Sequence, residues 1–272
     1  MSGSRRISKA FQGALCLPLD HHSRYILMSD CHRGTGNAND NFLKNEFLYL
    51  AALRHYFQNG FTYLELGDGD ELWENRSLRR IREIHPQSFD LMEQYRSENR
   101  MYAIYGNHDI IRRKEPSFYS GIVLRDTEQK KDIYLTHGHQ SDLLNSTFWP
   151  LSRFLVRYFW KPLEGLGIPD PTSAAKNNTK KEKSERLLAG WAREHGCLLV
   201  TGHTHHPMIG TKDSSYCNTG SCIHPSGITG IEIEHRCMAL VKWSVGTAKD
   251  MSLYVRREVL GDTVCIDEYT DT

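Results

Sequence analysis

Five short polar stretches hold most of the residues in this chain that could do acid, base or metal chemistry. They are Ser29-Asp30-Cys31-His32-Arg33-Gly34, Gly67-Asp68-Gly69-Asp70-Glu71-Leu72-Trp73, Gly106-Asn107-His108-Asp109, Thr136-His137-Gly138-His139 and Thr201-Gly202-His203-Thr204-His205. Taken singly, most are weak. An Asp-x-His pair after an apolar run is more often a turn with a surface histidine, and Gly-Asp suits any turn. His203 and His205, two imidazoles at i and i+2 introduced by Gly202, suit ligation better than packing. Together the stretches supply Asp30, Asp68, Asn107, His32, His137, His203 and His205, with His108 beside them. Carboxylate, imidazole and amide oxygen are donors for divalent manganese, iron or zinc. Two such ions about 3.5–4 Å apart clamp a phosphoryl group for in-line attack and acidify a bound water. Of 14 histidines, seven fall in or against these stretches, His206 included, which is the compositional trace of that chemistry.

Each stretch follows a run of Ile, Leu, Val or Tyr. Tyr25 to Met28, Phe61 to Leu66, Met101 to Tyr105, Ile133 to Leu135 and Cys197 to Val200 read as buried strands. Helix-length segments, roughly Asn41 to Gln58 and Arg76 to Ser97, separate the early ones. Strand, loop, helix, strand is the α/β pattern, and ligands in such sheets bind at the carboxyl ends of the strands. The last quarter changes character. Tyr216 to Thr219, Ile228 to Glu234, Met238 to Trp243 and Leu253 to Arg256 predict a mostly antiparallel second sheet.

The whole chain of 272 residues can bury a sizeable core. Its 34 Lys and Arg balance 33 Asp and Glu, so no global field draws in extended nucleic acid or an anionic membrane. Seven scattered cysteines without a CxxC pair argue against a disulfide framework or structural zinc, and for a reducing, cytoplasmic setting. The N-terminal stretch is basic but lacks a sustained apolar run, so no signal peptide is expected. No segment is apolar for long enough to span a bilayer. Residues 177–185 form a charge run that reads as a solvated helix start.

Ser146 to Ile168 is aromatic: Phe148, Trp149, Phe154, Tyr158, Phe159 and Trp160, with Arg153 and Arg157 one helical turn apart. It reads as an amphipathic helix inserted between the fourth and fifth polar stretches. Packing on the body, a lid over the site and peripheral membrane contact through 148–160 are its readings, the last a minor one.

The order DxH, GD, GNHD, HGH, GHTH resembles the calcineurin-like metallophosphoesterase superfamily from Asp30 to His205. The resemblance implies a four-layer α/β/β/α sandwich of two mixed sheets, here one domain over 1–272 with a helical insertion at about 141–195. It implies that Asp30, His32 and His205 hold one ion, that Asn107, His137 and His203 hold a second, and that Asp68 bridges them. Manganese is the favoured ion. His108 is expected near the leaving group, with Asp109 beside it in the catalytic set. Arg33 and His139 are expected to bind substrate, with a place behind the metal ligands, or a structural one, the alternative for His139. The loop GDGDELW, with Glu71 and Trp73, is similar to the GDxxExW pattern of UDP-diacylglucosamine pyrophosphohydrolases. His108 stands where that branch usually has Arg, and Asp70 where it has an apolar residue. The implied activity is metal-dependent hydrolysis of a phosphomonoester, phosphodiester or pyrophosphate by a metal-bridging hydroxide, with a small phosphorylated substrate. The alternatives are a non-catalytic binding scaffold of the same fold and a small-nucleotide phosphodiesterase or nuclease.

Overall fold

A computed structural model describes residues 2–37, 40–155, 178–211 and 214–269. Its strands form two mixed sheets. The first orders β1 (Leu15–Leu19), β6 (Gly121–Asp126), β7 (Ile133–Thr136), β8 (Leu198–Thr201) and β9 (Tyr216–Asn218). The second orders β12 (Leu253–Val259), β11 (Cys237–Thr247), β10 (Ile228–Glu234), β2 (Arg24–Met28), β3 (Thr62–Leu66), β4 (Met101–Ile104) and β5 (Phe118–Tyr119), with β13 (Val264–Cys265) beside β11.

Side-chain alternation builds the layers. Leu27, Leu64, Leu66, Ile231 and Ile233 of one sheet meet Leu17, Leu124, Leu135, Leu198 and Val200 of the other in the central core. Their neighbours in sequence face outward, because successive side chains in a strand point to opposite faces. Ile26, Met28 and Tyr63 pack under α2 (Glu46–Gln58) and α4 (Pro86–Ser97). Leu199 and Tyr216 pack under α1 (Gly3–Ala10) and α7 (Asn178–Glu194) through Ile7, Leu188 and Trp191. The result is the four-layer helix, sheet, sheet, helix order.

Several boundaries differ from the sequence reading. The helix expected from Asn41 begins at Glu46, because Asn45 donates its side-chain amide to the carbonyls of Cys222 and His224 and so ties the approach to another loop. The helix expected from Arg76 to Ser97 is two: α3 (Leu78–Ile84) and α4, broken at His85. Pro86 lacks an N–H and disfavours helical backbone in the residue before it, yet it suits the first turn of α4. The late strands are not a separate sheet. β9 pairs in parallel with β8, while β10 pairs antiparallel with β2 and joins β10–β12 to the sheet that carries the first three polar loops. Cys237 and Cys265 are disulfide-bonded across β11 and β13, against the expectation of reduced thiols throughout. Cys16, Cys31, Cys197, Cys217 and Cys222 are free. No helix among the described residues is long and apolar enough to cross a membrane.

The break at His85 is also a staple. Its ring is fully buried, with Nδ1 3.0 Å from Glu46 Oε2 and Nε2 3.0 Å from Asp40 Oδ2. Burial opposes the imidazolium, but Asp40 and Glu46 outweigh it and raise the His85 pKa to about 9. A folded pKa above the unfolded value of about 6.5 gives stability that is fully present below 6.5 and lost as pH rises through 9. Unfolding measured across that window is expected to show a loss on the order of 3 kcal/mol in the wild type and far less in His85→Gln. Parallel stability profiles for the two proteins would remove the staple from the account.

Candidate metal centre

All five polar loops leave the carboxyl ends of parallel strands: β2, β3 and β4 in one sheet, β7 and β8 in the other. The first two loops prolong the pairing of β2 with β3. Asp30 donates its N–H to the Gly67 carbonyl, His32 to that of Asp68 and Arg33 to that of Gly69. In the other sheet the same prolongation joins β7 to β8, where Gly202 donates its N–H to the His137 carbonyl at 3.0 Å. The backbone therefore sets the loops side by side before any side chain acts.

Five of the seven expected ligands have left-handed backbones: Asp30 (φ 53°), His32 (47°), Asp68 (51°), His203 (69°) and His205 (53°). Such non-glycine conformations are sparse and cluster at functional sites. They turn consecutive side chains out of the strand direction and toward one point. Glycines make the space. A Cβ on Gly106 would sit 2.1 Å from Asp68 Oδ1, and one on Gly202 would sit 2.4 Å from Asp30 Oδ2.

Three groups of donor atoms result, each gathered within 4.8 Å: Asp30, His32 and His205; Asp68, His137 and His203; and His32, Glu71 and His108. His205 Nε2 lies 3.0 Å from Asp30 Oδ1, and His137 Nε2 lies 3.1 Å from Asp68 Oδ2. His32 Nε2 is 3.8 Å from Asp30 Oδ1 and 4.0 Å from Asp68 Oδ2, so it joins the first two groups. The remaining carboxylate oxygens are anchored. Asp30 Oδ2 accepts from the Ser29 hydroxyl and the His203 N–H, and Asp68 Oδ1 accepts from the His108 N–H at 2.7 Å.

The decisive observation concerns what these atoms lack. Asp30 Oδ1, His32 Nε2, Asn107 Oδ1, His137 Nε2 and His203 Nε2 are buried without a hydrogen-bond partner, since the close approaches among them are not aligned as hydrogen bonds. Leaving one buried polar atom unsatisfied costs about 1–3 kcal/mol, and native proteins rarely leave several together. Two divalent ions would satisfy all five, and the donor types are those such ions take. The residues therefore fit the metals.

Electrostatics agree. Burial works against the charge of Asp30 and Asp68, yet His205 and His137 outweigh it at Asp30, and His137 and His108 at Asp68, holding both carboxyls well below the usual range. His137 is pushed up to about 9, because Asp68 and Asp30 outweigh its burial. His203 is pushed down to about 3 by burial and by the neighbouring His137.

The other expected residues divide. His108 lies at the rim, its side chain 25% exposed, with Nδ1 2.7 Å from Glu71 Oε2 and its ring stacked on Trp73 at 4.8 Å. Asp109 is buried, and its two oxygens accept the N–H groups of Gly69 and Gly106. It ties the second and third loops together, with both oxygens taken by backbone amides. Burial, with Asp68 and Asp70, raises its pKa to about 7. Arg33 is 1% exposed, and its guanidinium is paired with Glu65 and Asp70. His139 is buried beside His137, with ring centroids 5.5 Å apart. Glu71 and Trp73 carry no role in the residue-by-residue reading of the sequence. Their only signal there is the loop pattern.

Of the aromatic insertion, α5 (Leu143–Ser146) and α6 (Trp149–Leu155) are described, and Arg157, Tyr158, Phe159 and Trp160 lie outside the described residues. The guanidinium of Arg153 donates to the Leu72 carbonyl at 3.2 Å, and that of Arg113 lies over the Trp149 ring, which sets α6 against the loop after β3. Phe148, Leu151 and Phe154 are about half exposed.

The family model described as calcineurin-like phosphoesterase matches residues 23–207. No curated protein matches the sequence. Among solved structures, Vps29 of Chaetomium thermophilum is 11% identical with a TM-score of 0.45, covering 89% of this chain and 97% of that chain. The same protein complexed with the RaPID-derived cyclic peptide RT-D3 is 12% identical with a TM-score of 0.40, covering 92% and 98%.

Proposed function

The chain belongs to the calcineurin-like phosphoesterase family, matched over residues 23–207, and from that premise we propose that it hydrolyses a phosphate ester or phosphoanhydride at a two-ion centre. The convergence of five buried, unpartnered donor atoms from four strand ends carries this reading. Asp30, His32 and His205 would hold one ion, Asn107, His137 and His203 the other, and Asp68 would bridge. Two divalent ions there supply charge to neutralise phosphoryl oxygens and acidify a bound water.

The chain's own residues prepare that centre. Ser29 and the His203 N–H fix one oxygen of Asp30 and leave the other for His205's side of the site. The His108 N–H does the same for Asp68. Asp109 locks the second and third loops in register. His108, at the rim, donates a proton to the leaving oxygen. Arg153 ties α6 to the loop after β3, and the half-exposed Phe148 before that helix and Leu151 and Phe154 on it would contact the part of a substrate remote from phosphorus, where binding energy confers specificity. That arrangement favours a nucleoside diphosphate conjugate with an apolar arm, the substrate type of the GDxxExW pyrophosphohydrolases.

The test is a metal-stripped protein, reloaded with manganese and offered a phosphomonoester, a phosphodiester and a nucleoside diphosphate conjugate. Turnover is expected to require two ions per chain and to vanish on chelation. A protein that binds two ions and turns over none of the three is a binding scaffold, and the enzymatic reading fails.

A further inference from the structure

Glu71 is a buried acid that the reaction scheme above does not use. Its Oε1 accepts the N–H groups of Trp73 and Glu74, both at 3.2 Å, so the carboxylate is fixed by its own turn. Its Oε2 lies 3.1 Å from His32 Nδ1 and 2.7 Å from His108 Nδ1. One oxygen thus faces both an expected ligand of the first ion and the expected proton donor. The two imidazoles meet edge to face, with centroids 4.6 Å apart, and Trp73 covers the open face of His108.

We propose that Glu71 is a positioning residue that sets the first ion's ligand and the proton donor together. A carboxylate only accepts hydrogen bonds, so His32 must carry its hydrogen on Nδ1 when paired with Glu71. The lone pair then stays on Nε2, which faces Asp30 and Asp68, where the first ion belongs. The same oxygen faces Nδ1 of His108 at 2.7 Å as an ion-pair contact rather than an aligned hydrogen bond, and holds the ring with its Nε2 left for the substrate side. Partners of this kind, one bond behind a metal ligand, typically carry a 10–100-fold effect on metal affinity. The joint effect on two histidines is what separates Glu71 from an ordinary outer partner. Asp68, His137 and His203 lie outside its reach, so the second ion is independent of it.

The inference rests on the two-ion reading, and calorimetric titration with manganese keeps their failures apart. If the wild type does not bind two ions, the two-ion reading is wrong and this inference goes with it. If it does, Glu71→Ala is expected to weaken the first ion by about 10–100-fold and leave the second unchanged. Glu71→Gln, which keeps the volume, guards against a simple packing loss and is expected to act likewise. At saturating manganese both variants are expected to slow poor leaving groups more than good ones. In a double-mutant cycle, removing His108 as well should add little to that selectivity. Unchanged first-ion affinity in both variants overturns the proposal, as does an equal slowing of good and poor leaving groups. So does a wild type that holds three ions and a Glu71→Gln that holds two, which would make His32, Glu71 and His108 a cation site of their own.

Discussion

Asp68→Ala is expected to lower turnover by at least about 10³-fold and to bring bound metal below two ions per chain, since metal-ion stabilisation amounts to several kcal/mol and each 1.36 kcal/mol is tenfold in rate. Asp68 is the carboxylate nearest both halves of the site, with Oδ2 3.1 Å from His137 Nε2 and 4.0 Å from His32 Nε2. Its other oxygen holds the His108 backbone, so the substitution also frees the loop that carries the proton donor. Alanine at a left-handed position costs roughly 1–2 kcal/mol on its own, which would blur the result. Asp68→Asn separates the causes. Asparagine tolerates the left-handed backbone and keeps an oxygen, but it cannot bridge two cations with a full charge. Metal content, turnover and thermal unfolding measured on both variants decide. Retention of two ions and full activity in either one ends the bridging assignment.

His108→Ala is expected to slow turnover by about 10²–10⁴-fold, the usual worth of a general acid, while metal content stays at the wild-type level. His108 shares a donor group with Glu71 and His32, but its side chain sits at the rim and acts on Asp68 only through its charge, while the hydrogen bond to Asp68 comes from its backbone N–H, which alanine retains. Burial opposes its charge, and Glu71 and Asp68 outweigh that, so its pKa is raised and the ring favours the protonated form. The loss should shrink for a nitrophenyl ester, whose leaving group needs little protonation. An equal loss across leaving groups would reassign His108 to holding the phosphoryl oxygens.

The strands and the polar loops were legible because both depend on short-range pattern. Tyr25 to Met28 and Ile133 to Leu135 are apolar runs that end in chemistry-bearing turns, and those turns do converge. What the pattern could not carry was partnership at long range. Nothing local to Ile228–Glu234 says that it pairs with β2 rather than starting a sheet of its own. The N-terminal stretch is basic and lacks a sustained apolar run, yet it forms α1, whose Arg6 guanidinium donates to the carbonyls of Gln140 and Ser141. β1 went unread because Pro18 interrupts it, which an edge strand tolerates. The surroundings of Arg33 and Asp109 depend on the same long-range partnership. A charged residue next to a ligand reads as functional, and only the fold reveals Glu65, Asp70 and the loop amides that occupy it.

The left-handed backbone at Asp30, His32, Asp68, His203 and His205 also limits what chemistry this site can evolve toward. Apart from glycine, the side chains that visit that conformation most readily are Asn, Asp and His. The repertoire of donors at those positions is therefore confined to oxygen and imidazole. Thiolate, the donor that recruits soft metals and iron–sulfur clusters, would need a cysteine in a strained backbone at each step. Drift among hard and borderline ions is cheap in such a frame, whereas a change to soft metals or iron–sulfur clusters would require the loops themselves to be rebuilt.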